Sequence, residues 1–214
     1  MRNAPSPDIS TIDPKILIPK FDAILARGLC KGVGDRGKQV CIEAAICEAL
    51  DLPHGDEPAC VEAAVRSFKI ALNDSPWSSP EARANGMRDL GLAQIGSRGV
   101  VSGDAFCRGI AEKTTRVLIP ALFRELYPNE ARIIEAANRC ERDGDYDSAA
   151  EAARAAEAAR AAWAARAAEA ASSSPTTPDR YLRLSASLAL EVLIELKSPG
   201  AEWIATDAIQ RLRK

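Results

Sequence analysis

Apolar side chains recur every three or four residues along most of this chain, and that spacing places them on one face of an α-helix. The first series follows Asp13 and Pro14, a pair typical of a helix start, and it stops near Gly28. Its members are Ile16, Leu17, Phe21, Ile24 and Leu25. The pattern predicts a first helix after a flexible N-terminus of residues 1–12.

Further helices are predicted in the first half of the chain. Residues 40–50 are apolar on most sides, which indicates a central helix. The connector 52–58 ends in acidic residues and a proline suited to a first helical turn, and it leads into a helix that should stop near Asp74. Ser79 is a typical N-cap, and the helix that it opens should run to about Ile95.

The helical pattern continues in the second half. An apolar stripe begins near Asp104, and Pro120 should kink this helix because proline removes a backbone donor. Pro128 is expected to start the next helix. Residues 198–200, Ser-Pro-Gly, should separate the last two helices.

An alanine-rich stretch from Ala149 to Ala171 repeats the triplet Ala-Ala-X. Three residues turn a helix through about 300°, so each X lags the previous one by about 60° and the polar row winds round the axis. Alanine has the highest helix propensity, so this helix should form with little tertiary help. Its bulky apolar side chain, Trp163, is a candidate partner-docking point, and a linker at 172–178 follows.

These elements predict a mainly α fold, an irregular multi-helix bundle with the long alanine-rich helix in a C-terminal helical hairpin. We expect an N-terminal helical core at 13–127, with a glycine-rich loop at 28–37, and a C-terminal helical region at 128–214. The aromatic content of 5% suits closely packed helices better than a β-sandwich.

Composition and charge narrow the classes of partner. The net charge of −2 gives no general attraction to nucleic acid. The start of the chain is polar and no run of about eighteen apolar residues occurs, so we expect neither a signal peptide nor a membrane span. The six cysteines are expected to be free thiols in a reducing, cytoplasmic setting. These features leave the oligomeric state open.

The glycine-rich loop matches the G-x-x-x-x-G-K part of a phosphate-binding loop through Gly32, Gly37 and Lys38. Gln39 stands where that motif needs a Ser or Thr for magnesium, and a helix is predicted where the motif needs a strand. We therefore expect an inter-helix loop and no cofactor, with a nucleotide site as the alternative.

Cys41 should open the second helix, where the helix dipole lowers the pKa of a thiol. The segment 37–53, from Gly-Lys-Gln-Val-Cys to Asp-Leu-Pro, resembles the nucleophile helix of transglutaminase-like cysteine enzymes. That resemblance implies a thiol enzyme in which Cys41 works with a histidine, and His54 is the single histidine of the chain. The alternative is a buried cysteine and an exposed loop histidine.

A structural zinc site is the other chemical alternative. Its candidate ligands are Cys30, Cys41, Cys60 and His54. Structural zinc sites usually take two ligands from a C-x₂₋₄-C unit, and these residues do not have that spacing. We therefore expect no metal, and thiols that pack as small apolar side chains.

Two more resemblances concern longer stretches. The turn at 144–149, Gly-Asp-Tyr-Asp-Ser-Ala, resembles the hairpin turn of a tetratricopeptide repeat, which implies two antiparallel helices, although no second copy occurs at the period of about 34 residues. The strings at 41–47, 52–58, 73–79 and 195–200, together with the Ala-Ala-X stretch, resemble uncharacterised proteins of bacteria and bacteriophages. This resemblance implies a bacterial or phage origin and no particular function.

The sequence predicts a non-catalytic helical scaffold or protein-interaction protein, because no complete catalytic set accompanies the helical pattern. Its partner is expected to be protein, not membrane or nucleic acid. The alternatives are a thiol enzyme that uses Cys41 with His54, and a structural zinc-binding protein.

Overall fold

The computed structural model describes residues 9–144 and 177–204, and this part of the chain is mostly helical. The mainly α fold class predicted from the sequence is thereby confirmed. The predicted alanine-rich helix, Trp163 and most of the predicted 172–178 linker lie outside the described residues. Among the helices that the structure describes, none is long and apolar enough to cross a membrane.

The chain divides into two compact units, residues 1–107 with 178–214 and residues 108–177. A short 3₁₀ turn, Ile9–Thr11, comes before the first α-helix. The helices are α1 (Pro14–Leu25), α2 (Ile42–Ala49), α3 (Ala63–Asn73), α4 (Pro80–Ala93), α5 (Gly103–Lys113), α6 (Ile119–Leu126), α7 (Ala131–Asp143), α8 (Thr177–Glu195) and α9, described over 199–204.

Side-chain caps start several of these helices. Asp13 accepts the Lys15 amide at 2.9 Å, and Ser79 accepts the Ala82 amide at 3.0 Å, so both predicted helix starts are confirmed. The start predicted at Pro58 is wrong, because α3 begins at Ala63. Pro58 instead begins a turn in which its main-chain oxygen accepts the Val61 amide, and the Glu62 carboxylate accepts the first α3 amide at 2.6 Å.

Helix α2 lies at the centre of the first unit, as its apolar pattern predicted. It packs against α1, α3 and α4, and nearly all of its side chains are buried. Gly91 on α4 permits this close packing, because a Cβ there would come within 2.9 Å of Ile42 and of Phe21. Burial of this apolar surface is the main source of stability for these helices.

The second unit has its own small apolar core between α6 and α7. A π-helical segment, Thr114–Leu118, stands just before Pro120 and accommodates the missing proline N–H. At the place where the sequence predicted a kink, the helix changes from α-helical to π-helical hydrogen bonding. Arg116 in this segment donates hydrogen bonds to the main-chain oxygens that end α7, and Gly144, with φ 67°, leaves room for its guanidinium. The core residues are Phe123, Ile133, Ala136, Ala137 and Cys140.

Candidate functional site

The Cys41 thiol acts as the N-cap of α2. Its Sγ accepts a hydrogen bond from the Ala44 amide at 3.4 Å, and only 5% of the residue is exposed. The sulfur atom replaces the Ser or Asp oxygen found at other helix starts. It accepts a hydrogen bond from an amide that has no acceptor within the helix. Cys41, the candidate nucleophile, therefore has a structural role as the cap of α2.

Burial controls the ionisation of this thiol. It raises the pKa of Cys41 to about 11, and the amide hydrogen bonds at the helix start only partly oppose this effect. The carboxylate of Glu43 raises the pKa further, because a second negative charge nearby is unfavourable. The thiol is consequently neutral near pH 7, whereas a nucleophilic cysteine must be a thiolate.

His54 and Cys41 make different interactions. It is exposed, and its Nε2 is 2.9 Å from the main-chain oxygen of Gly34. Cys41 lines a small cavity of about 40 Å³, whereas His54 lines a cleft of about 630 Å³, and Asp56 is the residue common to both linings. The structure thus gives the two candidate catalytic residues different hydrogen-bond partners and different cavities.

The glycine-rich loop turns its amides toward carboxylates of the protein. The Gly32 amide donates to Asp74 at 3.1 Å, and the Gly37 amide contacts Glu48 at 3.5 Å. Lys38 pairs with Asp35 at 3.5 Å. In a nucleotide site, these two amides and this lysine would hold phosphate oxygens. In this protein they contact carboxylates, which carry the same sign of charge as phosphate.

The candidate zinc ligands are free thiols and the loop histidine. Cys41 and Cys60 are buried, Cys30 is half-buried, and burial raises the pKa of all three. Zinc binds the thiolate, so each raised pKa opposes metal binding. Within 9–144 and 177–204, no three or more Cys, His, Asp or Glu residues come together in a group able to hold a metal ion.

A buried charge cluster joins α2, α3 and the end of α4. Lys69 Nζ is 3.3 Å from Glu43 Oε1, and both side chains are 0% exposed. Gln94, also fully buried, donates from Nε2 to Glu43 Oε2 at 2.9 Å. Burial raises the pKa of Glu43 and lowers the pKa of Lys69. The charge of Lys69 opposes the first of these pKa shifts, and the charge of Glu43 opposes the second. The pair is thereby held inside the helical core.

Sequence reasoning missed this cluster, although one signal was present. Lys69 follows Val65 by four residues and precedes Leu72 by three, so it lies on the same helical face as these two buried residues. A lysine on the apolar face of a helix must find a buried partner or remain neutral. That position could have indicated an acidic residue on a neighbouring helix.

The largest described cleft lies between the 52–58 loop and the start of α3. Arg66 contacts Glu57 at 2.6 Å, and Arg98 donates from Nη1 to the Ala59 main-chain oxygen at 3.1 Å. Cys47 lies at the cleft with its thiol buried, and burial raises its pKa to about 12. The ionisable side chains of the lining, apart from Cys47, are His54, Asp56, Glu57, Glu62, Arg66 and Arg98.

Comparisons with protein-family models, with curated proteins and with solved structures give no match to this chain.

Proposed function

We propose that this chain is a non-catalytic helical protein-interaction protein. The carrying observation is the state of Cys41, which is buried, neutral near pH 7 and engaged as a helix cap. Covalent catalysis needs an accessible thiolate and a base within hydrogen-bond reach. Neither condition agrees with the surroundings of Cys41.

The large cleft supports a binding role. It is open and mainly polar, its volume of about 630 Å³ falls within the range of ligand sites, and it is lined by a loop and a helix start of the same unit. Loops held by a rigid helical scaffold commonly carry recognition. The sequence-based proposal that Trp163 docks a partner stays alongside this one.

Thiol reactivity tests the non-catalytic part of the proposal. Cys107 is exposed on α5 and provides an internal standard. Under iodoacetamide at pH 7.5, with modification followed by mass spectrometry of digested protein, Cys107 should react first and Cys41 should react only on unfolding. If Cys41 reacts faster than Cys107 in the folded protein, the thiol-enzyme alternative replaces this proposal.

Affinity capture tests the interaction part. The tagged full chain should retain its partners at near-equimolar amounts, and Cys41→Ala should retain the same partners, because the thiol takes no part in binding. A Trp163→Ala variant examines the separate docking prediction. Capture of no partner by the unaltered chain, under conditions where it is folded, would contradict the proposal.

A further inference from the structure

The loop that forms one wall of the cleft has main-chain groups without partners. Among the described residues, the amides of 54–57 donate no hydrogen bond, and the main-chain oxygens of 53–57 accept none. Both neighbouring stretches differ, because Leu52 and Ala59 accept hydrogen bonds from Arg36 and Arg98. Main-chain groups of this kind require water or a ligand that offers donors and acceptors of its own.

The cleft also contains one guanidinium that contacts no carboxylate and one carboxylate that has no hydrogen-bond or ion-pair partner. Within the described part of the chain, Arg98 donates to a neutral main-chain oxygen and contacts no carboxylate, and Asp56 makes neither a hydrogen bond nor an ion pair. Arg66 differs, because it already pairs with Glu57. The available charges are therefore of opposite sign.

Other ligand classes fit this lining less well. The amides at the start of α3 would attract a phosphate, but the Glu62 carboxylate already accepts the Ala63 and Ala64 amides. Three carboxylates face the cleft against two guanidinium groups, which disfavours a polyanion. An extended peptide offers alternating amides and main-chain oxygens, and it can carry side chains of both signs.

We propose that the cleft binds an extended peptide segment of a partner protein, with an acidic side chain at Arg98 and a basic side chain at Asp56. The main-chain groups of 53–57 hydrogen-bond to the peptide backbone and supply affinity, and the two side chains select the sequence. This inference rests on the proposed function, since it assigns a site and a ligand chemistry to the interaction protein.

The test uses the full chain labelled with ¹⁵N and a panel of acetylated, amidated hexapeptides. Each peptide is built from Thr and Val and carries one Glu and one Lys, separated by one to four residues. A matched peptide has Gln at both positions. At least one Glu/Lys peptide should shift the amide resonances of 54–57, and the Gln peptide should bind about tenfold more weakly.

Charge exchange separates recognition from folding. Arg98→Glu should weaken binding of the selected peptide about tenfold. The same variant should bind more tightly to a second peptide, in which Lys replaces the Glu of the selected peptide. Lys31→Glu makes the same change of charge at an exposed position outside the cleft and should leave affinity unchanged. A loss without recovery by the exchanged peptide, or equal losses in both variants, would overturn the assignment of Arg98.

The proposal is also overturned if no peptide shifts residues 54–57 at millimolar concentration, or if the shifts lie on another surface. A chain that still captures partners in that case remains an interaction protein, and only the cleft assignment fails. A chain that captures no partner and binds no peptide fails on both counts.

Discussion

The buried cluster between α2, α3 and α4 and the open cleft beside the 52–58 loop lie in the same unit and contain similar chemical groups. Each includes at least one carboxylate, at least one cationic side chain and a nearby thiol. They differ in access to water. Glu43 and Lys69 are 0% exposed, whereas Glu57 in the cleft keeps 75% of its side-chain surface exposed.

This difference shows how burial divides structural roles from recognition roles. In the interior, each charged group is held by another buried group, so a substitution leaves an uncompensated partner. In the cleft, an exposed group such as Glu57 is solvated by water, so it can exchange water for a ligand at a small energetic cost. Similar side chains therefore have different consequences for stability.

The largest expected effect comes from Lys69→Met, which leaves Glu43 buried without its cation. We expect the free energy of unfolding at pH 7 to fall by about 3–5 kcal/mol, measured by urea denaturation. The matched change Arg66→Met removes a cation from the cleft end of the same helix and should cost less than about 1 kcal/mol. Similar losses in the two variants would remove the distinction between interior and cleft.

A double variant sharpens this comparison. Glu43→Leu combined with Lys69→Met removes both charges together and should recover most of the stability lost by Lys69→Met alone. If the double variant is less stable than the single variant, the pair contributes more than mutual neutralisation.

The second expected effect is a loss of stability in alkaline solution. The pKa of Cys41 rises from 9.0 to about 11, and the pKa of Cys47 rises from 9.0 to about 12. The unfolded chain therefore loses these protons first, and the free energy of unfolding falls as pH rises above 9. Each thiol should cost about 1.4 kcal/mol at pH 10.

The measurement compares urea denaturation at pH 8 and pH 10. The variant Cys41→Ala with Cys47→Ala should lose about 3 kcal/mol less over this range than the unaltered protein, because it lacks these two titrating thiols, whereas the buried Cys60 and Cys140 remain in both proteins. Equal losses in the two proteins would show that these thiols are not sealed from solvent.

A third, smaller effect concerns the cap of α2. Cys41→Ala should lower the free energy of unfolding by about 1 kcal/mol at pH 7, because the Ala44 amide loses its acceptor. Cys41→Ser keeps an acceptor at this position and should cost less. Thermal denaturation of the two variants distinguishes a cap from simple apolar packing, which would make Ser the more costly change.

The smallest effect on stability is expected in the cleft. Arg98→Glu should change the free energy of unfolding by less than about 0.5 kcal/mol, because the side chain is exposed and makes no ion pair within the described residues. The urea midpoint measures this change, with Lys31→Glu as the control. A loss above 2 kcal/mol would place Arg98 among the structural residues.

Local signals in the sequence predicted the elements that depend on neighbouring residues. Ser79 before a proline predicted the start of α4, and the apolar pattern of residues 40–50 predicted a central α2. The prediction that α3 begins at Pro58 was wrong, because the Glu62 carboxylate, four residues later, caps the first amide of the helix. Helix starts depend on caps as well as on propensity.

The candidate sites depended on contacts that sequence spacing does not contain. The Cys41 position at a helix start was predicted, but its burial follows from packing by helices far along the chain. The contact between Glu43 and Lys69 joins two helices, and no local pattern specifies which acid meets the lysine. The cleft likewise requires Arg98 to approach a loop distant in sequence.

The π-helical segment at Thr114–Leu118 takes up one extra residue with little change in the rotational phase of the helix that follows it. A π turn contains one residue more than an α turn, so deleting one residue from 114–118 should restore a continuous α-helix. Because the π turn takes up its extra residue locally, the later side chains of α6 would keep nearly the same orientation relative to residues 108–113. Phe123 would still face Ile133, so a one-residue deletion here should disturb this core less than one in α6 before Phe123, which would turn every later side chain by about 100°.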